Sequence, residues 1–120
     1  MKIDFFADTN FLIYLLEGNN IAKPFLEFDF AISFVTEVEL LGFKGISKPE
    51  LKIKALINDC FLTEWNLKIK EWTIDLRKKY NLRLPDSIIA ASSLSMGIPL
   101  ITADQGFSKI KELDLIFLEV

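Results

Sequence analysis

Short apolar runs alternate with amphipathic segments along the chain. The apolar runs predict buried strands over residues 3–7, 31–35, 61–64, 98–102 and 115–119. Apolar side chains recurring every three or four positions predict helices over residues 9–16, 21–27, 36–41, 49–59, 67–80, 86–96 and 105–109. Because strands alternate with crossovers long enough for parallel connections, we expect an α/β fold, a three-layer α/β/α sandwich with a mainly parallel sheet.

Helix boundary residues and the absence of linkers complete this picture. Pro49 and Pro85 favour helix starts, Asn66 can cap a helix, and Gly97 favours a helix end. The segment from 86 to 96 is apolar nearly all round, so we expect its helix to be buried. No linker, repeat or low-complexity segment interrupts the sequence, so we expect a single domain over residues 1–120.

Residue composition excludes several kinds of catalysis. The chain contains no histidine and a single cysteine, Cys60, which lies in an apolar stretch typical of a small buried hydrophobe. Ser–His–Asp and Cys–His catalysis, histidine-based ribonuclease chemistry and histidine- or thiolate-rich zinc sites are therefore excluded. Phosphodiester chemistry in this chain would depend on carboxylates and a hard cation.

Overall charge and hydropathy bear on partners and location. The net charge of −3 and the pI near 5.0 argue against a general nucleic-acid binder, which is usually basic. No apolar run is long enough to span a membrane, and the acidic N-terminal residues do not resemble a signal peptide. We therefore expect a cytoplasmic protein with no membrane association.

Acidic residues adjoin the ends of several predicted elements: Asp8, Glu39, Asp86 and Asp104. Each alone is explained by helix capping or by the helix dipole. Three of them, however, follow predicted strands, and the carboxyl ends of parallel strands share the edge of a sheet where ligands bind. Because clustered carboxylates repel one another unless a cation is bound, together they indicate a Mg²⁺ or Mn²⁺ site.

Four motifs around these acids resemble those of PIN-domain nucleases. They are DTN at residues 8–10, TEVELLG at 36–42, LPDSIIAA at 84–91 and LITADQGF at 100–107. They follow the family's order and span almost the whole chain. In size and motif order the sequence resembles the VapC-like ribonuclease toxins of toxin–antitoxin operons.

This resemblance implies a metal-dependent endoribonuclease on a PIN-like domain. Asp8, Glu39, Asp86 and Asp104 would be both catalytic residues and ligands of one or two Mg²⁺ or Mn²⁺ ions. By their types and positions, Thr9, Asn10 and Thr102 would orient those carboxylates or a bound water, or would only make turns and caps. The family further implies 3′-hydroxyl and 5′-phosphate products, a homodimer and a small cognate antitoxin.

Three alternatives stay open. Glu37 rivals Glu39 on the same short helix, although residues two apart point in different directions. A non-catalytic PIN-like module could bind RNA or protein with the same residues. An aspartyl-phosphate phosphatase or receiver domain is disfavoured, because such a phosphatase would need an acid where Asn10 stands.

Two basic clusters flank the carboxylate motifs and are candidates for RNA phosphate contacts. They comprise Lys44, Lys48, Lys52 and Lys54, and Arg77, Lys78, Lys79 and Arg83. A solvated helix face is the simpler explanation for any single member. Several phenylalanines, at positions 25, 28, 30 and 43, would serve the core or line a groove for another chain.

Overall fold

The computed structural model describes residues 2–42 and 48–120. In chain order the elements are β1 (Phe5–Ala7), α1 (Thr9–Glu17), β2 (Phe30–Ser33), α2 (Phe34–Gly42), α3 (Glu50–Asn58), β3 (Phe61–Thr63), α4 (Leu67–Lys79), α5 (Leu84–Met96), β4 (Leu100–Thr102) and β5 (Leu115–Phe117). Short 3-10 helices occupy Lys23–Phe25 and Gln105–Lys109.

All five strands join one sheet in the order β3-β2-β1-β4-β5, and every pairing is parallel. The predicted α/β sandwich with a parallel sheet is therefore confirmed. The chain builds outward from β1 through β2 to β3 and then returns to the other side of β1 for β4. The boundary between β1 and β4 is thus the switch point of the sheet, where open α/β folds bind ligands.

Buried side chains cover both faces of the sheet. One face packs Phe6 and Leu100 against Ile69, Leu76 and Ile89 of α4 and α5. The opposite face packs the Ile32 and Ile101 side chains against residues of α1, α2 and α3. As the sequence predicts, α5 is buried nearly all round, from Ser87 through Ser93.

Element boundaries differ from the predictions where apolar residues fit either structure. The strand predicted over 31–35 ends at Ser33, whose Oγ accepts a hydrogen bond from the Val35 N–H at 3.1 Å, and α2 begins at Phe34. The helix predicted over 21–27 is only the 3-10 turn Lys23–Phe25. Helix α5 begins at Leu84, two residues before the predicted start, because Pro85 suits a first helical turn.

No helix within residues 2–42 and 48–120 combines the length and the apolar character needed to cross a membrane.

Candidate active site

The carboxyl ends of β1 and β4 lie side by side at the switch point. Ala7 is aligned with Ile101, so the residues that follow them, Asp8 and Thr102, are neighbours. The Thr102 hydroxyl donates a hydrogen bond to Asp8 Oδ2. Its oxygen accepts another, 2.9 Å long, from the backbone N–H of Asp104. One threonine thus connects two of the acids that the sequence singles out.

All four of those acids line one small cavity of about 90 Å³ at this edge of the sheet. Its walls are Asp8, Thr9, Asn10, Glu39, Arg83, Asp86, Ile89, Asp104 and Phe107. Asp8 comes from the end of β1, Glu39 from α2, Asp86 from the first turn of α5 and Asp104 from the loop after β4. The fold therefore brings together residues that are almost one hundred positions apart, since Asp8 and Thr102 are separated by 94 residues.

Asp8 is the most deeply placed acid of the cavity, with only 3% of the residue exposed. The pKa of its carboxyl group is raised from 3.8 to about 6, mainly by burial and in smaller part by the charges of Asp104 and Asp86. Hydrogen bonds from Thr102 and from the Phe11 N–H, at 2.8 Å, oppose that shift. A buried carboxyl group with a raised pKa and with other acids beside it is expected of a cation site.

Glu39 is held by a pair of threonines. Thr9 Oγ1 lies 2.6 Å from Glu39 Oε1 and donates to it. The same Thr9 oxygen lies 3.0 Å from Thr36 Oγ1, and Thr36 is fully buried. Because the Thr9 proton is committed to the carboxylate, Thr36 must donate to Thr9. Of the two glutamates of α2, both among the described residues, Glu39 lines the cavity and Glu37 does not.

Asp86 is paired with a cation from its own chain. Arg83 Nε and Nη2 each lie 3.1 Å from Asp86 Oδ2, and the Asp86 side chain is 23% exposed. The guanidinium therefore neutralises one of the four acids. Arg83 was predicted to contact RNA phosphate, and in the structure it is one of the residues that line the carboxylate cavity.

The other basic residues of the two predicted clusters lie outside this cavity wherever they are described. Lys54 is 3.9 Å from Glu50 along α3, and Lys79 is 2.9 Å from Glu112. Among the remaining members, the exposed residues are Lys52, Arg77 and Lys78, and Lys48 is partly buried. Lys44 lies outside the described residues. Their contact with RNA stays a prediction.

The donor set fits a hard divalent cation. Every acidic group at the cavity offers oxygen, which Mg²⁺ and Mn²⁺ prefer, and the buried Asp8 carboxyl has a raised pKa that a bound cation would lower. As they stand, no three carboxylates of residues 2–42 and 48–120 lie close enough together to hold one ion. Arg83 lies on Asp86 in this arrangement, so a cation that binds the Asp86 carboxylate must displace the guanidinium or share the carboxylate with it.

The sequence did not predict the contacts that three residues make at the site. Thr36 supports Glu39 through Thr9, Arg83 pairs with Asp86, and Phe107 forms part of the cavity wall. The spacing of Arg83 and Asp86, three residues apart at a helix start, was a usable indication of their pairing. No local pattern marks Thr36, because its partner Thr9 is 27 residues away.

Comparison with known proteins agrees with this geometry. The PIN domain model matches residues 5–113, and the chain therefore belongs to the PIN domain family. Comparison with curated proteins gives no match.

Among solved structures, the chain resembles a toxin–antitoxin complex from Klebsiella pneumoniae, with 29% identity and a TM-score of 0.82 over 94% of this chain and 96% of that one. It resembles VapBC-1 from nontypeable Haemophilus influenzae, with 26% identity and a TM-score of 0.73 over 96% and 98% of the two chains. VapBC2 from Rickettsia felis, bound to a promoter DNA fragment, shares the fold at 17% identity and a TM-score of 0.83 over 98% and 100%.

These likenesses place the chain more narrowly within its family. It is a VapC-like PIN-domain protein, of the toxin nuclease kind. PIN nucleases generally use divalent metal ions, in agreement with the all-oxygen donor set at the cavity.

Proposed function

We propose that this protein is a Mg²⁺- or Mn²⁺-dependent endoribonuclease that acts as the toxin of a toxin–antitoxin pair. The observation that carries the proposal is the convergence of Asp8, Glu39, Asp86 and Asp104 on one cavity at the switch point of the sheet. The absence of histidine supports it, because the chain lacks the one side chain whose unperturbed pKa lies near neutral pH.

The four carboxylates would hold one or two cations and are the proposed catalytic residues. A divalent cation, when bound, lowers the pKa of water and offsets the charge of the reacting phosphate. The chain itself orients the ligands: Thr102 fixes Asp8, and Thr9 fixes Glu39. Asn10 lines the same cavity and can hydrogen-bond a water or a phosphate oxygen there. Hydrolysis of this kind leaves 3′-hydroxyl and 5′-phosphate ends, as the family resemblance implies.

The two glutamates of α2 provide a matched test of this assignment. We expect Glu39→Gln to lower cleavage of a structured RNA at least about tenfold, because loss of a group that only orients a metal ligand already costs about 10- to 100-fold. Glu37→Gln removes the same charge from the same helix without touching the cavity, and should keep nearly full activity. Cleavage is followed on a gel with Mg²⁺ or Mn²⁺, and with EDTA as the blank.

Two results would contradict the proposal. Cleavage that persists in EDTA would exclude a metal-dependent reaction. Equal activity of the two variants would remove Glu39 from the site.

The Thr36–Thr9–Glu39 chain supplies a second prediction. Thr36→Val keeps the side-chain shape but cannot donate to Thr9, so the Thr9 hydroxyl is no longer fixed on Glu39. We expect cleavage to fall by up to about tenfold, near the lower end of the range for groups that orient metal ligands. Thr36→Ser retains the hydroxyl and should stay close to wild type, as measured by kcat/KM. A valine variant as active as the serine variant would remove Thr36 from the orienting network.

A non-catalytic PIN-like module is the second candidate. It is favoured by one observation, that no three described carboxylates already converge at ligand distance. Calorimetric titration distinguishes the two: no heat of binding with millimolar Mg²⁺ or Mn²⁺ supports the module, and binding that Asp86→Asn weakens supports the enzyme.

Partners and location complete the proposal. The Klebsiella pneumoniae structure is a toxin–antitoxin complex, and the VapBC structures support a small antitoxin as the partner of this chain. We propose in addition a homodimer, a cytoplasmic location and a single domain over residues 1–120. Light scattering of the purified chain, alone and with the product of an adjacent reading frame, tests both assemblies.

A further inference from the structure

A second cavity, of about 240 Å³, adjoins the carboxylate cavity. The two share Arg83, Asp86, Asp104 and Phe107. Its own additional walls are Asn81, Leu82, Gly106 and Lys109. We infer that this second cavity binds a backbone phosphate of the RNA, next to the phosphate that is cleaved, through Lys109 and Arg83. The inference rests on the proposed function and deepens it.

Lys109 is the cation best placed for this contact. Its Nζ donates to the backbone carbonyl of Asn81 at 2.7 Å, which fixes the ammonium group at the cavity wall. Within residues 2–42 and 48–120, no carboxylate forms an ion pair with Lys109. The ammonium group therefore has an anchored position, and its positive charge is not neutralised by a neighbour.

Arg83 is the second cation, and its availability depends on the carboxylates. The guanidinium now lies on Asp86, so the cavity's two cations are balanced by two acids, Asp86 and Asp104. A divalent cation bound to the carboxylates competes with Arg83 for Asp86 and weakens their ion pair. The cavity then carries a net positive charge. Because a guanidinium matches phosphate oxygens with paired donors, phosphate replaces the carboxylate as its partner.

Cavity size and floor define what is bound. Pockets for a whole small molecule usually begin at about 300 Å³, so 240 Å³ suits part of a chain, such as one phosphate and its ribose. Leu82 and Phe107, both largely buried, form an apolar floor for the sugar. The shared wall of the two cavities places this phosphate beside the reacting one. Binding at the two cavities is then mutually reinforcing: cation loading and RNA binding each favour the other.

Binding measurements without cleavage test the inference. A fluorescent single-stranded RNA of about ten nucleotides, within the usual site size for single-strand binders, is titrated by anisotropy in EDTA and in Ca²⁺ over a range of salt. Lys109→Gln should weaken binding several-fold and reduce the salt slope by about 0.7, the value for one phosphate contact on a single strand. Lys109→Arg should restore both. Arg83→Gln should weaken binding more in Ca²⁺ than in EDTA.

Lys68→Gln is the matched control, because Lys68 is also an exposed lysine that donates to a backbone carbonyl, that of Ser95 at 3.1 Å, away from both cavities. It should leave the affinity and salt slope unchanged. The inference is overturned if Lys109→Gln behaves like Lys68→Gln, or if the wild-type chain does not bind the RNA. If the RNA shows this dependence on Lys109 and salt but is never cleaved in Mg²⁺, the phosphate site is supported and only the proposed nuclease function is overturned. If the RNA is cleaved and Lys109→Gln has the same KM as the wild type, the nuclease function is supported and the phosphate site is overturned.

Discussion

Replacing Asp8 by asparagine is expected to abolish RNA cleavage and, in the absence of metal, to stabilise the fold. Asp8 is the buried member of the four acids and lies at the switch point between β1 and β4. An amide is a much weaker ligand for a hard cation than a carboxylate. We expect a loss of more than about 100-fold in kcat/KM, above the range typical for groups that only orient a metal ligand.

The gain in stability follows from the raised pKa of Asp8. In the folded state its carboxyl group has a pKa of about 6, against an ordinary value of 3.8. The folded state therefore binds more protons than the unfolded state between these values, and the free energy of unfolding falls as pH rises through this window. Above pH 6 the full cost of burying the charge is present. At 1.36 kcal/mol per pKa unit that cost is at most about 3 kcal/mol.

Asparagine avoids this cost because its side chain is neutral at every pH in the window. Its oxygen can still accept from the Phe11 N–H, and its amide can donate to the Thr102 oxygen, but the Thr102 proton loses Asp8 as its acceptor, which reduces the gain in stability. We expect the metal-free Asp8→Asn variant to melt several degrees above the wild type at pH 7, by roughly 3–6 °C per kcal/mol, and near it at pH 4.

Melting followed by circular dichroism between pH 4 and pH 8 in EDTA measures this difference, with the exposed Asp114→Asn as the control. If Asp8→Asn loses stability with rising pH as much as Asp114→Asn and the wild type do, Asp8 is not the group that causes the pH dependence of stability. Added Mg²⁺ or Mn²⁺ should stabilise the wild type and have little effect on Asp8→Asn, because only a folded state that binds the ion gains from it.

Replacing Thr102 by valine is expected to have the second largest effect. This hydroxyl donates to Asp8 and accepts from the Asp104 N–H, so valine removes both contacts while nearly preserving volume. Thr102 is fully buried, and an unsatisfied buried polar group costs about 1–3 kcal/mol. We expect a loss of about 1–3 kcal/mol in the free energy of unfolding, and cleavage reduced about 100-fold, the upper end for residues that position metal ligands.

Serine at the same position separates the hydroxyl from the methyl group. Thr102→Ser keeps both hydrogen bonds and loses only a methyl contact, so it should recover most of the activity. Denaturant unfolding and kcat/KM are measured on both variants with increasing Mn²⁺. If Thr102 positions ligands, higher Mn²⁺ partly rescues the valine variant. A valine variant with normal activity at low Mn²⁺ would contradict the assignment.

The sequence predicted the fold well because the decisive information is local. Buried parallel strands appear as short apolar runs, and residues 5–7 and 100–102 were both found within the predicted ranges. The start of α2 was wrong by two residues because Phe34 and Val35 are apolar in a strand or a helix alike. In place of the helix predicted over 21–27, the structure has a 3-10 turn, since Pro24 and the short apolar stretch suit an α-helix and a 3-10 turn alike.

Predicting the site was harder, because its contacts are not local. The motifs singled out Asp8, Glu39, Asp86 and Asp104, and all four line the cavity. Their hydrogen-bond partners depend on the folded arrangement. Thr36 meets Thr9 across 27 residues, and Lys109 reaches the carbonyl of Asn81 across 28. A sequence pattern records residue types and spacing along the chain, and such pairings exist only once the sheet order is known.

The central position of β1 has a consequence for synthesis of the chain. β1 lies between β2 and β4, and β4 is reached only after residue 99. When β1 to α5 of a nascent chain have emerged from the ribosome, one edge of β1 is still unpaired. Thr102 and Asp104 are not yet available to complete the cavity. Such late, long-range closure is intrinsically slow. The cavity is therefore assembled among the last steps of folding, and an incomplete chain does not yet contain the site at which the proposed cleavage would take place.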